Sequence, residues 1–452
     1  MTSPPAHPAQ AQPTQGHTAQ ERRSLHKAFA ASLSGTALEW YDFALFGAVT
    51  GTVFSKLFFD GSDPNTDMVK AFMTYGAGYL ARPVGGIFFG RLGDVIGRKR
   101  VLVWTLLLIG FATAAIGLLP TYGSAGLWAP ILLVAMRFLQ GVGVGGEWGG
   151  AVLLSSEYAR PGTRGLWASA AQTGVPLGSF LANLMVLALA AGLSPEAFLS
   201  WGWRVAFLLS LALVAFGLWI RIKLEETPVF QALAQQGDVP KAPVTEVFRT
   251  QGRALLGAIL VRFGPDILYA FFAVYVITWL QKGAGALTNA QALTCTMTAA
   301  FIQIFMMPFA GWVSDKIDRK RLYAMGAVAG AVWIFVFVAM MQTRSFAMAL
   351  FGVIVGLVIH CFMYAPQAAH IAEQFPARLR YTGSSLAYTF AGVLGGGLAP
   401  AMYAAYDPAR GHSGWFIAIY IAVACGITLI GLAMGRAVVD DVDHVLDQSQ
   451  DQ

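Results

Sequence analysis

The strongest constraint on this chain is a short basic turn that occurs twice, each time between two long apolar stretches. Gly90-Arg-Leu-Gly-Asp94-Val-Ile-Gly97-Arg98-Lys99-Arg100 is echoed by Gly311-Trp-Val-Ser-Asp315-Lys-Ile-Asp-Arg319-Lys320-Arg321. The copies start 221 residues apart (90 and 311), about half of the 452-residue chain. A polar turn at the same place in two hydrophobic halves is the pattern of a duplicated membrane protein, and many transporters are built this way.

Hydropathy supports that pattern. Only 12% of residues are charged, against about 25% in an ordinary soluble chain. A bilayer core needs about 20 apolar residues per helix. Twelve such stretches are predicted, near 28–55, 69–89, 101–119, 129–157, 165–190, 203–221, 254–281, 288–313, 321–341, 345–369, 382–403 and 415–436. All are predicted to be helices, since backbone in lipid must satisfy its own hydrogen bonds. The predicted fold class is therefore an all-α integral membrane protein: twelve transmembrane helices in two pseudo-symmetric six-helix bundles.

The expected organisation is a disordered cytoplasmic tail (1–26), an N-terminal bundle (27–222), a cytoplasmic linker (223–252), a C-terminal bundle (253–436) and a cytoplasmic tail (437–452). The first 24 residues have no apolar core of the kind a secretory signal needs. Lys and Arg set the orientation. With both termini inside, cytoplasmic segments hold 21 of the 30 and the opposite side 6, leaving Arg82, Arg137 and Arg262 within spans. The net charge of +6 is thus spread over short loops and does not form a nucleic-acid surface. The expected setting is the inner membrane, with the lipid bilayer as partner and a functional monomer.

Several function classes lack their residues. The glycine-rich run from Gly141 to Gly150 follows no strand and precedes no Gly-Lys-Ser/Thr, so no phosphate loop is read there. Cys295, Cys361 and Cys425 are dispersed in apolar stretches and read as small buried residues. No cofactor, metal site or catalytic residue is expected.

Charges inside the spans carry the functional reading. A charge at the bilayer centre costs on the order of 2.5–3.5 kcal/mol on insertion scales, and such groups mark substrate or proton paths. Glu39, Asp42, Glu147, Asp266, Arg82, Arg137 and Arg262 are the candidates. At about 1.5 Å per residue, Asp42 lies roughly 21 Å into its span and Arg137 roughly 12 Å into the oppositely directed fourth, at comparable depth. Glu39 is one turn from Asp42. A carboxylate that takes up a proton releases a paired arginine to bind an anion. Asp42, Glu39, Arg137 and Asp266 are therefore read as the proton-coupling set. Arg82, Arg137, Arg262, Trp40, Tyr41, Glu147 and Tyr269 are read as substrate-binding. Arg262 and Asp266, four apart, can alternatively neutralise each other. His360 and His370 read as structural.

The repeated turn reads as half of a cytoplasmic gate. Glu157 precedes Arg164 by seven residues and Glu373 precedes Arg380 by seven, at nearly the turn's own offset. Gly90, Asp94, Gly97, Arg98, Glu157, Arg164, Asp315, Arg319, Glu373 and Arg380 form the expected gate. Its charges pair when the outside is open and separate when the inside opens.

The doubled turn resembles the signature loop of the major facilitator superfamily. Further stretches are similar to its metabolite:proton symporter family: Ala37-Leu-Glu-Trp-Tyr-Asp42-Phe, Ala81-Arg-Pro-Val-Gly-Gly86, Arg137-Phe-Leu-Gln-Gly-Val-Gly-Val-Gly-Gly-Glu-Trp-Gly-Gly150, Trp201-Gly-Trp-Arg204 and Glu373-Gln-Phe-Pro-Ala-Arg-Leu-Arg-Tyr-Thr-Gly383. The likeness runs from about residue 27 to 436. It implies a secondary transporter for organic acids such as citrate, oxoglutarate and shikimate, or for zwitterions such as proline and betaine. Val95 stands where the family's turn has a basic residue, and Asp318 replaces the second-copy glycine. The expected function is proton-coupled import of a small organic anion. Uptake of a zwitterionic osmolyte is the alternative, and a membrane receptor or enzyme on this scaffold the reading from another class. Sodium stays open as the coupling ion.

Overall fold

A computed structural model describes residues 19–96, 98–146, 162–222, 243–283, 287–406 and 414–435. Among them there is no strand, and nine helical runs are long and apolar enough to cross a bilayer. The other three expected spans are helical as well. The first is Ala19–Val49, continued by a π-turn at Thr50–Phe54. The second is Pro64–Leu80 followed by Arg82–Ile96. The eleventh is Ala377–Gly392, with a π-turn at Val393–Gly397. The first two carry buried charges, Glu39, Asp42 and Arg82.

The remaining spans are Arg98–Leu118, Trp128–Gly145, Arg164–Gly192, Trp203–Ile222, Asn289–Lys316, Arg319–Met340, Phe346–Ala372 and Trp415–Met434, with the seventh made of Gly252–Val261, Phe263–Tyr269 and the turns after them. Local chemistry sets their starts. Asp63 caps the second span, accepting from the backbone N–H of Asn65 and Thr66, with Pro64 in the first helical position. Thr288 and Gln291 form a capping box on the eighth. Asp318, the departure in the second turn, caps the ninth by accepting from the Arg321 N–H at 2.9 Å.

Packing repeats in the two halves. The third span packs on the sixth, and the ninth on the twelfth. The halves meet where the fifth span lies along the eighth and the second along the eleventh. Large apolar side chains such as Trp104, Phe111, Phe216, Phe305, Phe351 and Val423 remain exposed and form the lipid-facing surface. Contact between the second and fourth spans depends on glycine. A Cβ on Gly141 would sit 1.9 Å from the Gly78 carbonyl oxygen, and one on Gly145 2.0 Å from that of Arg82. Small residues of this kind let membrane helices approach closely.

Two boundaries differ from the sequence reading. The first helix begins at Ala19, inside the segment expected to be a disordered tail, because Leu25 finds a buried position and His26 and Phe29 meet the edge of Trp167. Within the expected linker, Pro243–Thr250 is helical and buries Val247 against Phe375 and Leu379.

Candidate functional site

The site starts from one turn of the first span. Asp42 is buried, and its Oδ2 accepts from the Thr113 hydroxyl at 2.6 Å. Gln140 donates from Nε2 to the Thr113 oxygen at 2.6 Å, and its Oε1 accepts from Arg137 Nη1 at 2.9 Å. Asp42 and Arg137, paired on depth alone, are thus joined through Thr113 and Gln140. Arg137 lies 3.8 Å from the centre of the Phe43 ring and 4.9 Å from that of Tyr75. It stands behind the aromatic wall of the central cavity, with Nε and Nη2 lacking hydrogen-bond partners.

Glu39 takes a different partner. Its Oε1 is 3.9 Å from Arg82 Nη2. Arg82 begins the second half of its span, where the helix breaks at Ala81. It is completely buried, 3.9 Å over the Tyr79 ring and 4.5 Å over Phe43. None of its three guanidinium nitrogens has a hydrogen-bond partner. Burying unmatched donors on a cation is costly, so this arrangement favours an arriving anion.

The C-terminal half faces it with a neutral pair. Arg262 and Asp266 bond along one helix, with Nη2 at 2.8 Å from Oδ1 and 2.9 Å from Oδ2. The two residues neutralise each other, and both line the cavity. The Tyr388 ring lies 3.7 Å from the Arg262 guanidinium and 5.8 Å from that of Arg82, so one aromatic stands between a cation of each half. Tyr269 shares a 2.7 Å hydrogen bond with Ser179 of the opposite half and meets Trp40 edge-on. His360, stacked on Tyr364, also lines the cavity. The cavity between the halves is about 20 Å³, room for about one water.

Among the described residues, the two halves touch on either side of this cavity. At the end carrying the basic turns, Asp315 accepts from the backbone N–H of Gly165 and Leu166, each at 2.8 Å. It thereby ties the C-terminal half to the start of the fifth span, which the chain enters through Gly162 with φ +81°. Arg319 bonds Asp315 at 3.0 Å and pairs with Glu373. At the other end a Cβ on Gly51 would sit 2.4 Å from Thr278 Oγ1, and one on Gly76 2.7 Å from the Gly397 carbonyl oxygen.

Some expected residues are placed elsewhere. Tyr41 turns away from the cavity and donates to the Ala206 carbonyl at 3.1 Å; its neighbours Trp40 and Glu39 take the inward face. Arg380 spends its Nε on the carbonyls of Ala372 and Phe375 at the end of the tenth span, while the Glu373 carboxylate goes to Arg319. Glu147, Glu157 and Gly97 lie outside the described residues. Gly90, Asp94 and Arg98 are helical, and their side chains also lie outside the description. Arg164 opens the fifth span beside the Asp315 contact. Reading the residues alone missed Thr113, Gln140, Tyr79 and Tyr388. Tyr79, three residues before Arg82, was within reach of a helical-face argument.

Two pseudo-symmetric helical halves around a charged, aromatic cavity are the architecture of a membrane transporter. Residues 32–400 match the family model of the Major Facilitator Superfamily. The chain is 35% identical over 415 residues to the inner membrane metabolite transport protein YhjE of Escherichia coli (strain K12), covering 91% of this chain and 94% of that protein. It is 35% identical over 403 residues to the shikimate transporter of the same organism, covering 88% and 91%. It is 31% identical over 432 residues to a proline/betaine transporter of Salmonella typhimurium, covering 93% and 85%. The fold is similar to that of the proton:xylose symporter XylE, with a TM-score of 0.71, 18% identity and coverage of 91% and 95%. The chain belongs to the Major Facilitator Superfamily and is a multi-pass membrane transporter.

Proposed function

We propose that this chain is a proton-coupled symporter that imports a small organic anion across the bacterial inner membrane by alternating access. The observation that carries the anion is Arg82, a fully buried cation in the cavity wall whose guanidinium nitrogens have no hydrogen-bond partner. A carboxylate supplies the acceptors those donors lack. Arg262, paired with Asp266, is the counterpart across the cavity and can swing to a second oxygen of the substrate. Trp40, Tyr79 and Tyr269 shape the apolar wall. The metabolite and shikimate transporters among the relatives support a carboxylate cargo.

Asp42 is the proton site of this reading, with Glu39 the counter-ion that Arg82 exchanges for substrate. Support comes from their burial and from the hydrogen-bonded path from Asp42 to Arg137. The basic end is the cytoplasmic face, as the bias of Lys and Arg requires. Asp315, Arg319 and Glu373 are its gate.

A zwitterionic osmolyte is the second reading, favoured by the proline/betaine relative and by the balanced Arg262–Asp266 pair, which offers both signs. Proteoliposomes given labelled citrate, oxoglutarate, shikimate, proline and betaine at two external pH values decide between them. The anion reading expects one or more of the three acids to accumulate, more strongly at acidic external pH, without competition from betaine. Accumulation of proline or betaine alone would replace it with the osmolyte reading.

A further inference from the structure

The hydrogen-bonded path between Asp42 and Arg137 has a fixed direction. Arg137 has only donors, so the Gln140 amide must present its oxygen to it and its nitrogen to Thr113. The Thr113 oxygen then accepts from Gln140 and has a single hydrogen to give. Two acceptors lie within reach of that hydrogen, Asp42 Oδ2 at 2.6 Å and the Ile109 carbonyl at 2.9 Å. All four side chains are buried, so water does not compete.

We infer that Thr113 is a positioning residue that reads the protonation state of Asp42 and, with Gln140, couples that state, not the proton itself, to the charge of Arg137. With Asp42 ionised, the Thr113 hydroxyl donates to Oδ2, and every bond in the path points from the cation to the anion. When Oδ2 takes up a proton, the new O–H donates to the Thr113 oxygen, and the Thr113 hydrogen turns to the Ile109 carbonyl. Thr113 then accepts two bonds and donates one, its full capacity. Both states are satisfied, and one rotation of a hydroxyl separates them.

The negative end of the path is lost in the protonated state, and the Arg137 charge is no longer compensated along it. Arg137 and Arg82 share the Phe43 ring, at 3.8 and 4.5 Å. The N-terminal half then carries surplus positive charge next to the anion site, and substrate follows the proton. Among the described residues, the other titratable and charged groups around the path are Glu39 and Tyr41 on the first span and Tyr75, Tyr79 and Arg82 on the second.

This inference rests on the proton-coupled reading, and the test separates the two without needing the transported solute. Infrared difference spectra between acidic and alkaline buffer are recorded on the purified full-length protein in lipid. The carbonyl band of a buried protonated carboxyl is expected in the wild type and lost in Asp42→Asn. Thr113→Val, isosteric with the native residue, removes the acceptor of the Asp42 O–H and shifts that band; Gln140→Leu shifts it less; Thr113→Ser leaves it in place. A band lost in Asp42→Asn but unmoved in Thr113→Val and Gln140→Leu overturns this coupling and leaves Asp42 as the proton site. A wild type without the band, or Asp42→Asn with it intact, overturns the assignment of Asp42 itself.

Discussion

Asp315 holds the backbone N–H of Gly165 at 2.8 Å, so a carboxylate of the second basic turn caps a helix of the other half. This contact, with Arg319 and Glu373 behind it, makes the second basic turn a tie between the bundles. Asn caps a helix about as well as Asp, so Asp315→Asn removes the charge, which at a helix N-terminus contributes about 0.3–1 kcal/mol. Asp315→Asn should therefore shift the conformational equilibrium toward opening at the basic end by roughly two- to fivefold. Maleimide labelling of Ser169→Cys, which lies beneath the tie, checks this in a cysteine-free background. Faster labelling in the Asp315→Asn variant is expected, and an unchanged rate would remove the residue from the gate.

Arg82 should dominate substrate binding. Losing a charge-assisted bond costs about 1.5–3 kcal/mol, so Arg82→Ala should reduce carboxylate uptake by at least tenfold. Arg82→Lys should recover only part, since an ammonium lacks the planar fork and the stack on Tyr79. Initial uptake rates over a range of substrate concentrations distinguish this from a folding defect. A variant with wild-type kinetics would move the anion site elsewhere.

Gly141→Ala tests the contact of the second and fourth spans. Its methyl would meet the Gly78 carbonyl, and overpacking of this kind costs typically 1–3 kcal/mol. Thermal unfolding in detergent should shift downward for Gly141→Ala and stay unchanged for Gly123→Ala, where nothing lies within 4 Å.

The fold was legible because duplication and hydropathy act along the chain. The doubled basic turn fixed two halves, and apolar length fixed the spans. Depth was legible too, since a constant rise per residue puts Asp42 and Arg137 at one level, and the structure joins them. Rotation about each helix axis was not. Glu39 and Asp42 are one turn apart, yet one reaches Arg82 and the other Thr113. Tyr41, between them, faces Ala206. Partners such as Thr113, Gln140 and Tyr388 come from other helices, and nothing in their local sequence marks them. The helix start at Ala19 was hidden for a similar reason, because Leu25 gains its burial only after the bundle has formed; residues 1–18 of the expected tail lie outside the described residues.

The central claim, that proton binding at Asp42 drives accumulation of an anion, is tested most directly by comparing two modes of transport in one preparation. Proteoliposomes containing wild type or Asp42→Asn are assayed for uptake of a labelled carboxylate under an inward proton gradient, and for exchange of the same carboxylate without a gradient. Asp42→Asn should retain exchange and lose gradient-driven accumulation. A variant that concentrates the carboxylate as well as the wild type under the gradient would contradict the account.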